Sequence, residues 1–319
     1  MMTDQQAQRM GWPRLRVSDW AETRDTLHMW TQIVGKIRLA HAPLVNHWWE
    51  VTFYVTPRGL TTSTIPYLDK ALDIEFDFTD HLLRIRTSDG DIRQLALVAQ
   101  PVARFYTEVM DTLHELGIQT KIWASPNEVP TAIPFPQDYQ HASYDPGAAH
   151  LFWQQLLQAN RVMAQFRSEF AGKVSPVHLF WGAMDLACTR FSGRKAPPHP
   201  GGVPNFPHWA AIEAYSHEVS SCGFWPGGEE GMFYAYAYPE PAGFADRPVS
   251  PSEAFYDRDL QEFVLPYEVV AGAANPDEVL TEFLETTYAA AAELGGWDRA
   301  ALEVDPHRLD EQRLAGTRP

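Results

Sequence analysis

The sequence predicts an α+β protein built from two diverged helix–antiparallel sheet–helix repeats packed as one pseudo-two-fold body. Stretches of helical periodicity alternate with stretches of period two. The order long helix, short strands, helix occurs once before and once after a proline-rich segment at residues 125–144. Like residues also recur at like places. Trp49 and Arg58 lie nine apart, as do Trp181 and Arg190, and Ala99-Gln100-Pro101 and Ala274-Asn275-Pro276 each precede a closing helix. Those helices carry Phe105 and Glu115-Leu116-Gly117 in one copy, Phe283 and Glu293-Leu294-Gly295 in the other, as a duplication would leave them. One unit alone would leave a sheet face uncovered, so the two should pack together.

This divides the chain into an N-terminal arm (1–17), a first repeat (18–124), a linker (125–144), a second repeat (145–298) and a polar tail (299–319) expected to fray. From Ser18, a candidate N-cap, to Ala42 a long helix should bury Leu27, Trp30, Val34, Ile37 and His41, and Pro43 ends it. A strand from Trp48 to Thr56 turns at Pro57-Arg58-Gly59 into Leu60–Ile65. Leu72–Phe78, Leu82–Arg86 and Ile92–Val98 read as further strands, the last two joined at Ser88-Asp89-Gly90. Pro101 opens a helix that closes at Gly117. In the second copy a helix runs from about Gly147 to Phe170. Strands follow over Pro176–Phe191, bent at Gly182, then Tyr215–Trp225 and Met232–Tyr238, before a helix from Asn275-Pro276 to Gly295-Gly296. The loop Ser192–Pro207 interrupts this copy, and loops of such length inside a domain are often functional.

The chain has 319 residues and a formal charge of −16, from 41 acidic and 25 basic side chains. A field of that sign repels phosphate backbones and anionic lipid, so neither nucleic acid nor a membrane surface is an expected partner. Cys188 and Cys222 sit in apolar runs and read as reduced, buried thiols. No apolar run is long enough to span a bilayer, and Met1–Gln8 lacks a signal pattern, so the cytoplasm follows by elimination. Nothing in the sequence sets the oligomeric state.

Long, unusual strings carry a resemblance that covers nearly the whole chain. They are LHMWTQIVGKIRLA (Leu27–Ala40), NHWWEVTFYVTPRGLTTS (Asn46–Ser63), SPVHLFWGAMDLACTRFSGR (Ser175–Arg194), EAYSHEVSSCGFWPGG (Glu213–Gly228) and YAYPEPAGF (Tyr236–Phe244). In these the chain resembles an uncharacterised bacterial family, domain of unknown function 5996. The resemblance implies a bacterial protein and brings no activity or cofactor with it.

Candidate chemistry therefore comes from polar residues in apolar strands. His217 and Glu218 are the expected acid/base pair, a histidine titrating near neutrality beside a glutamate whose pKa burial would raise. Strand alternation puts them on opposite faces, and the alternative is a satisfied histidine with a glutamate paired to an arginine. In the strand before, alternation places His178 and Arg190 on one face and Asp185 on the other, unless Gly182 shifts the register. The choice there lies between a structural Asp–Arg pair and the polar floor of a cavity. Arg190 and Arg194, in the basic turn Ser192–Lys195, would attract an anionic ligand. Tyr234, Tyr236 and Tyr238 form one strand face; with Trp225 they pack against neighbours or wall an aromatic pocket, with Glu240 at its mouth. Along the first helix Arg24, His28, Gln32 and Lys36 recur every four residues. They read as a solvent-exposed face, or as one wall of a polar cleft facing Arg58, Thr61 and Thr62.

His178, His217 and Glu218 are metal-type ligands without HExxH or HxH spacing, so no metal is expected. P-loop, GxSxG, CxxC and Rossmann patterns are missing too, so no organic cofactor is expected. The expectation is a small-molecule enzyme using His/Glu acid–base chemistry on an anionic or aromatic substrate. The alternative is a non-catalytic module that binds a small ligand or another protein.

Overall fold

The computed structural model describes residues 11–305. Helix α1 (Val17–His41) begins at Arg16 with no side-chain cap, so Ser18 lies inside its first turn. Leu27, Trp30, Val34 and Ile37 are fully buried as their spacing requires, and the Trp30 ring stacks on Phe105 at 4.6 Å. The polar stripe departs from the exposed-face expectation: Gln32 and Lys36 are buried, because the other side of α1 also meets protein.

No strand starts at Trp48. Asn46–Val51 winds instead into a 3₁₀ helix in which His47 and Trp48 take left-handed backbone angles. Side-chain bonds explain the winding. His47 Nδ1 meets the Ala214 carbonyl at 2.9 Å, and Trp48 Nε1 donates to the Ala210 carbonyl at 2.9 Å, wrapping the segment onto a later helix.

The first sheet contains β1 (Tyr54–Val55), β2 (Gly59–Thr61), β3 (Ile65–Tyr67), β4 (Lys70–Asp77), β5 (Leu82–Thr87) and β6 (Ile92–Ala96). All its pairings are antiparallel, in the order β1-β2-β4-β5-β6 with β3 also on β4. Helix α2 (Val102–Glu115) closes this half, and Gly117 beyond it takes the left-handed φ of 73° that favours glycine. In the linker, Phe135 of a short 3₁₀ turn is fully buried.

Asp145 caps α3 (Pro146–Ser168) by accepting from the Ala148 amide at 2.9 Å. The second sheet contains β7 (His178–Phe180), β8 (Asp185–Lys195), β9 (His217–Trp225), β10 (Met232–Tyr238), β11 (Phe255–Asp257) and β12 (Glu262–Pro266), in the order β11-β12-β10-β9-β8-β7. Helix α4 (His208–Ala214) precedes β9, while α5 (Tyr267–Gly272), α6 (Pro276–Leu294) and α7 (Arg299–Leu302) finish the chain. Contrary to the expectation of fraying, residues 299–303 are ordered by α7 and by a bridge from Glu303 to Phe170; residues 306–319 lie outside the described residues. Trp12 in the arm packs its ring on Phe233 and Tyr267.

The two sheets meet edge to edge, where Phe53 and Leu179 exchange backbone hydrogen bonds of 2.8 and 2.9 Å. One apolar core runs through both halves. Register assigns the faces of the second sheet. Leu186, Cys188, Cys222, Phe224 and Phe233 face α3 and α6. Asp185, Thr189, Ser221, Tyr234 and Tyr236 point the other way, and this second face carries the site.

Candidate functional site

The register of β7 and β8 corrects the expected partition of polar residues. His178 pairs with Ala187, so His178 and Asp185 share a face and Arg190 takes the opposite one. The tight turn over residues 181–184 reverses the chain, and counting straight through it gives the wrong answer. Arg190 lies among rings, its guanidinium 3.5 Å from the centre of Phe166 and 4.3 Å from that of Tyr288, and donates to the Phe166 carbonyl. It forms no pair with Asp185.

The expected acid/base pair does not come together with the other candidates. Glu218 is held by Arg194 Nε at 2.8 Å and by the Ser192 hydroxyl at 2.8 Å. Arg194 in turn caps α6, donating to the Gly295 and Gly296 carbonyls at 2.6 and 3.0 Å. His217 lies with its ring 5.6 Å from that of His47, beyond a register shift in β8. His178 is fully buried, meets the Thr52 hydroxyl at 3.1 Å, and burial pushes its pKa down to about 3, so it is neutral. Arg58 sits on the first sheet, bound to Asp77 and Asp80. Asp185 and Tyr236 share one face of the second sheet with Trp225, whose Nε1 donates to the Ala183 carbonyl at 3.1 Å, and His28 reaches the turn before β8 at the Gly182 carbonyl, 2.8 Å away.

What organises them is the start of the linker. Gln32 on α1 clamps Asn127 by both backbone groups, its Oε1 accepting from the amide at 2.7 Å and its Nε2 donating to the carbonyl at 2.8 Å. Lys36, one turn on, donates to the Asn127 side chain. The next amide, of Glu128, donates to the Pro204 carbonyl at 2.9 Å, and Asn205 Nδ2 donates to the Val129 carbonyl at 2.7 Å. Fixed from both sides, Glu128 adopts φ +59°, a conformation that costs a non-glycine residue about 1 kcal/mol.

Two glycines give the polar groups room. The Glu128 carboxylate lies against Gly182, where a Cβ would fall 1.9 Å from Oε1. His28 Nε2 meets the Gly182 carbonyl at 2.8 Å from the other side. Tyr234 passes over Gly223, where a Cβ would fall 2.4 Å from its hydroxyl, and donates to Asp185 Oδ2. Hydroxyls tile the rest of the floor. Thr189 and Ser221 meet at 2.8 Å, Ser221 bonds Tyr236, and Tyr236 meets Tyr215 at 3.1 Å. Glu262 opens β12 one residue beyond the Ala235–Phe263 pair, at the flank of Tyr236.

Glu128, Asp185 and Glu262 are largely surrounded by protein yet keep part of their surface open to water. Burial raises the Glu128 carboxyl to about 7, aided by Asp185 and opposed by Lys36. Burial likewise raises Asp185 to about 6 against the Tyr234 hydrogen bond, and Glu262 to about 7 with repulsion from Asp185 and Asp257. Lys36 is lowered to about 8 by burial. The Tyr215 hydroxyl is pushed up to about 12, so it stays a donor. No described group hydrogen-bonds the Glu128 carboxylate. Carboxyls of this kind exchange protons near neutral pH. Among the described residues no group of three or more His, Cys, Asp or Glu is disposed to hold a metal ion, and no helix is long and apolar enough to cross a membrane.

Asn127, Glu128, Tyr215, Tyr234 and Glu262 were not singled out as site residues by their sequence context, although Tyr234 belonged to the visible ladder. Two signals pointed near them: the four-residue spacing of His28, Gln32 and Lys36, and the two long loops that supply Glu128 and its clamps. Glu128 itself carries none, because it lies in an aperiodic segment whose partners are distant in sequence.

Fold and site together define an α+β protein whose second sheet turns an acidic, tyrosine-lined face toward a helix and a loop. No curated protein and no solved structure matches the chain. It belongs to the family of unknown function DUF5996, whose model matches residues 12–304.

Proposed function

We propose that the chain is a small-molecule enzyme working by acid–base chemistry on this sheet face, with Glu128 and Asp185 as the proton-exchanging groups in place of His217 and Glu218. The observation that carries the reading is the Glu128 carboxyl, partly open to water, without a hydrogen-bond donor among the described groups, and raised to about 7 by its surroundings. A carboxylate that only held the fold would be paired, as Asp77 is by Arg58 and Arg84. Asp185 has its orientation fixed by Tyr234, leaving Glu128 as the more mobile proton carrier. The hydroxyl floor from Tyr215 to Thr189 would orient a polar substrate.

The recurrence of Ala-Gln-Pro and Ala-Asn-Pro before α2 and α6 supports reading the halves as diverged copies, of which the second kept an open polar sheet face. Buried, unlinked Cys188 and Cys222 are consistent with a reducing compartment such as the cytoplasm.

The test is to incubate the protein with a defined metabolite mixture and follow conversion by mass spectrometry, beside Glu128→Gln and Asp185→Asn. Conversion that falls at least about a hundredfold in both variants supports the reading. Conversion that survives both overturns it. A metabolite bound and returned unchanged favours the second reading, a binding protein using the same sheet face.

A further inference from the structure

We propose that Lys173 is a nucleophilic amine that condenses with a small, uncharged aldehyde to form an imine, with His47 relaying the protons. The site shares no residue with Glu128, Asp185 and their neighbours and does not depend on them.

Lys173 lies between α3 and β7, half-buried against the 3₁₀ turn Asn46–Val51. Its Nζ meets His47 Nε2 at 2.6 Å, and lies 4.8 Å from the centre of the Phe191 ring and 5.5 Å from that of Trp49. The other side of the imidazole sets the roles in that bond. His47 Nδ1 lies 2.9 Å from the Ala214 carbonyl oxygen, which can only accept, so Nδ1 carries the proton and Nε2 offers a lone pair. The amine thus faces a proton acceptor. Among the described residues no carboxylate forms an ion pair with Lys173. Glu213, the carboxylate acting on it, accepts instead from the His47 amide at 3.3 Å.

The backbone that presents His47 is a second, independent observation. His47 and Trp48 take left-handed φ values of 60° and 62°, a conformation that residues with a Cβ rarely adopt in succession. It is held from α4, where Ala214 takes the His47 imidazole and Ala210 takes Trp48 Nε1. Backbone kept in such a conformation by its surroundings is characteristic of groups positioned for function. Here it aims Nε2 at the amine.

The titratable groups around the amine are His47 from the turn, His217 from β9, with its ring 5.6 Å from that of His47, and Glu213 from α4. Burial is the largest influence on both partners and lowers the pKa of Lys173 and of His47. A lowered lysine carries more free amine at neutral pH, the form that attacks a carbonyl. Trp49 and Phe191 offer an apolar surface for the body of an aldehyde.

The step balances without a further reactant. Once the ammonium has released its extra proton to solvent, the nitrogen lone pair attacks the carbonyl carbon as the C–O π bond breaks, giving a carbinolamine. The two protons that the nitrogen then loses pass by way of His47 Nε2 to the oxygen, which leaves as water as the C=N bond forms.

Competitive labelling of the full chain with benzaldehyde and cyanoborohydride, mapped by peptide mass spectrometry, tests the proposal. Reduction fixes each imine as a stable benzylamine, and the chain has only five lysines to compare. Lys121 and Lys195 are exposed and serve as internal references. At pH 7 Lys173 should be labelled at least about tenfold faster than either, although it is less exposed. His47→Asn keeps a side-chain donor for the Ala214 carbonyl and suits left-handed backbone, but removes Nε2; the advantage should then fall below about threefold. An advantage below about threefold in the wild-type chain overturns the proposal, and that comparison needs no variant. A full advantage retained in His47→Asn overturns it as well, because Nε2 would then have no part in the reactivity.

Discussion

Carboxylates on the first sheet and those at the candidate site are treated in opposite ways. On the first, Asp77 is completely buried, bonded by Arg58 at 2.6 Å and Arg84 at 3.0 Å, and also accepts from the Thr79 and Asp80 amides. Those donors outweigh burial and hold its pKa down to about 2. Beside it Arg86 holds Asp73 and Glu75. At the candidate site, Glu128 of the linker and Asp185 and Glu262 of the second sheet meet no arginine among the described residues, and burial raises all three. Aspartate and glutamate in a sheet thus indicate nothing by themselves. Whether an arginine has been placed beside them separates a carboxylate that holds the fold from one left available for chemistry.

The largest expected effect that would break this contrast is at Asp77. Asp77→Ala leaves the Thr79 and Asp80 amides without their acceptor and Arg58 and Arg84 with Asp80 alone, and should cost about 3 kcal/mol in urea denaturation at pH 7. Because the folded pKa of Asp77 is depressed, its contribution is present above the unfolded value near 4 and is lost as pH falls toward 2. The gap between wild type and variant should close over that window. A gap that persists at pH 2 would mean packing, not the ion pairs, carries the effect.

Next is Gly223→Ala, whose methyl would fall 2.2 Å from the Leu186 carbonyl oxygen and 2.4 Å from the Tyr234 hydroxyl. Backbone cannot yield as a side chain can, so a loss of about 2 kcal/mol is expected by thermal denaturation. Gly182→Ala meets instead the flexible end of Glu128, and should cost about 1 kcal/mol. Combining it with Glu128→Ala should recover most of that loss in a double-mutant cycle, and simple additivity would place the Glu128 carboxylate elsewhere. The smallest effect is at Glu218. Its partner Arg194 is half exposed, so Glu218→Gln should change stability by less than about 1 kcal/mol.

Much of the fold was legible in the sequence. The long helices follow from apolar spacing bounded by proline and glycine, as at Pro146 and Pro276. The alternation of Tyr234, Tyr236 and Tyr238 with small residues places them on one face correctly. Local pattern failed where distant partners decide. Trp48–Val51 reads as a strand, yet bonds to Ala210 and Ala214 wind it up. Strands β11 and β12 are short and lie at one edge of the sheet, with too few positions for alternation to register. In the site, Asp185, Tyr236, His28 and Trp225 were recognisable as polar or aromatic side chains in unusual surroundings. Glu128 was not, because its importance arises from Gln32, Pro204 and Gly182, none of them near it in sequence.

The contrast between the first sheet and the candidate site is tested most directly by comparing the stability of wild type and Glu128→Gln at pH 4 and pH 8. A carboxyl whose folded pKa is raised to about 7 weakens the fold progressively as pH climbs from the unfolded value near 4. Glu128→Gln should therefore match wild type at pH 4 and be more stable by about 2 kcal/mol at pH 8. Equal stability at both pH values, or a variant less stable at pH 8, would show that Glu128 is a satisfied structural carboxylate.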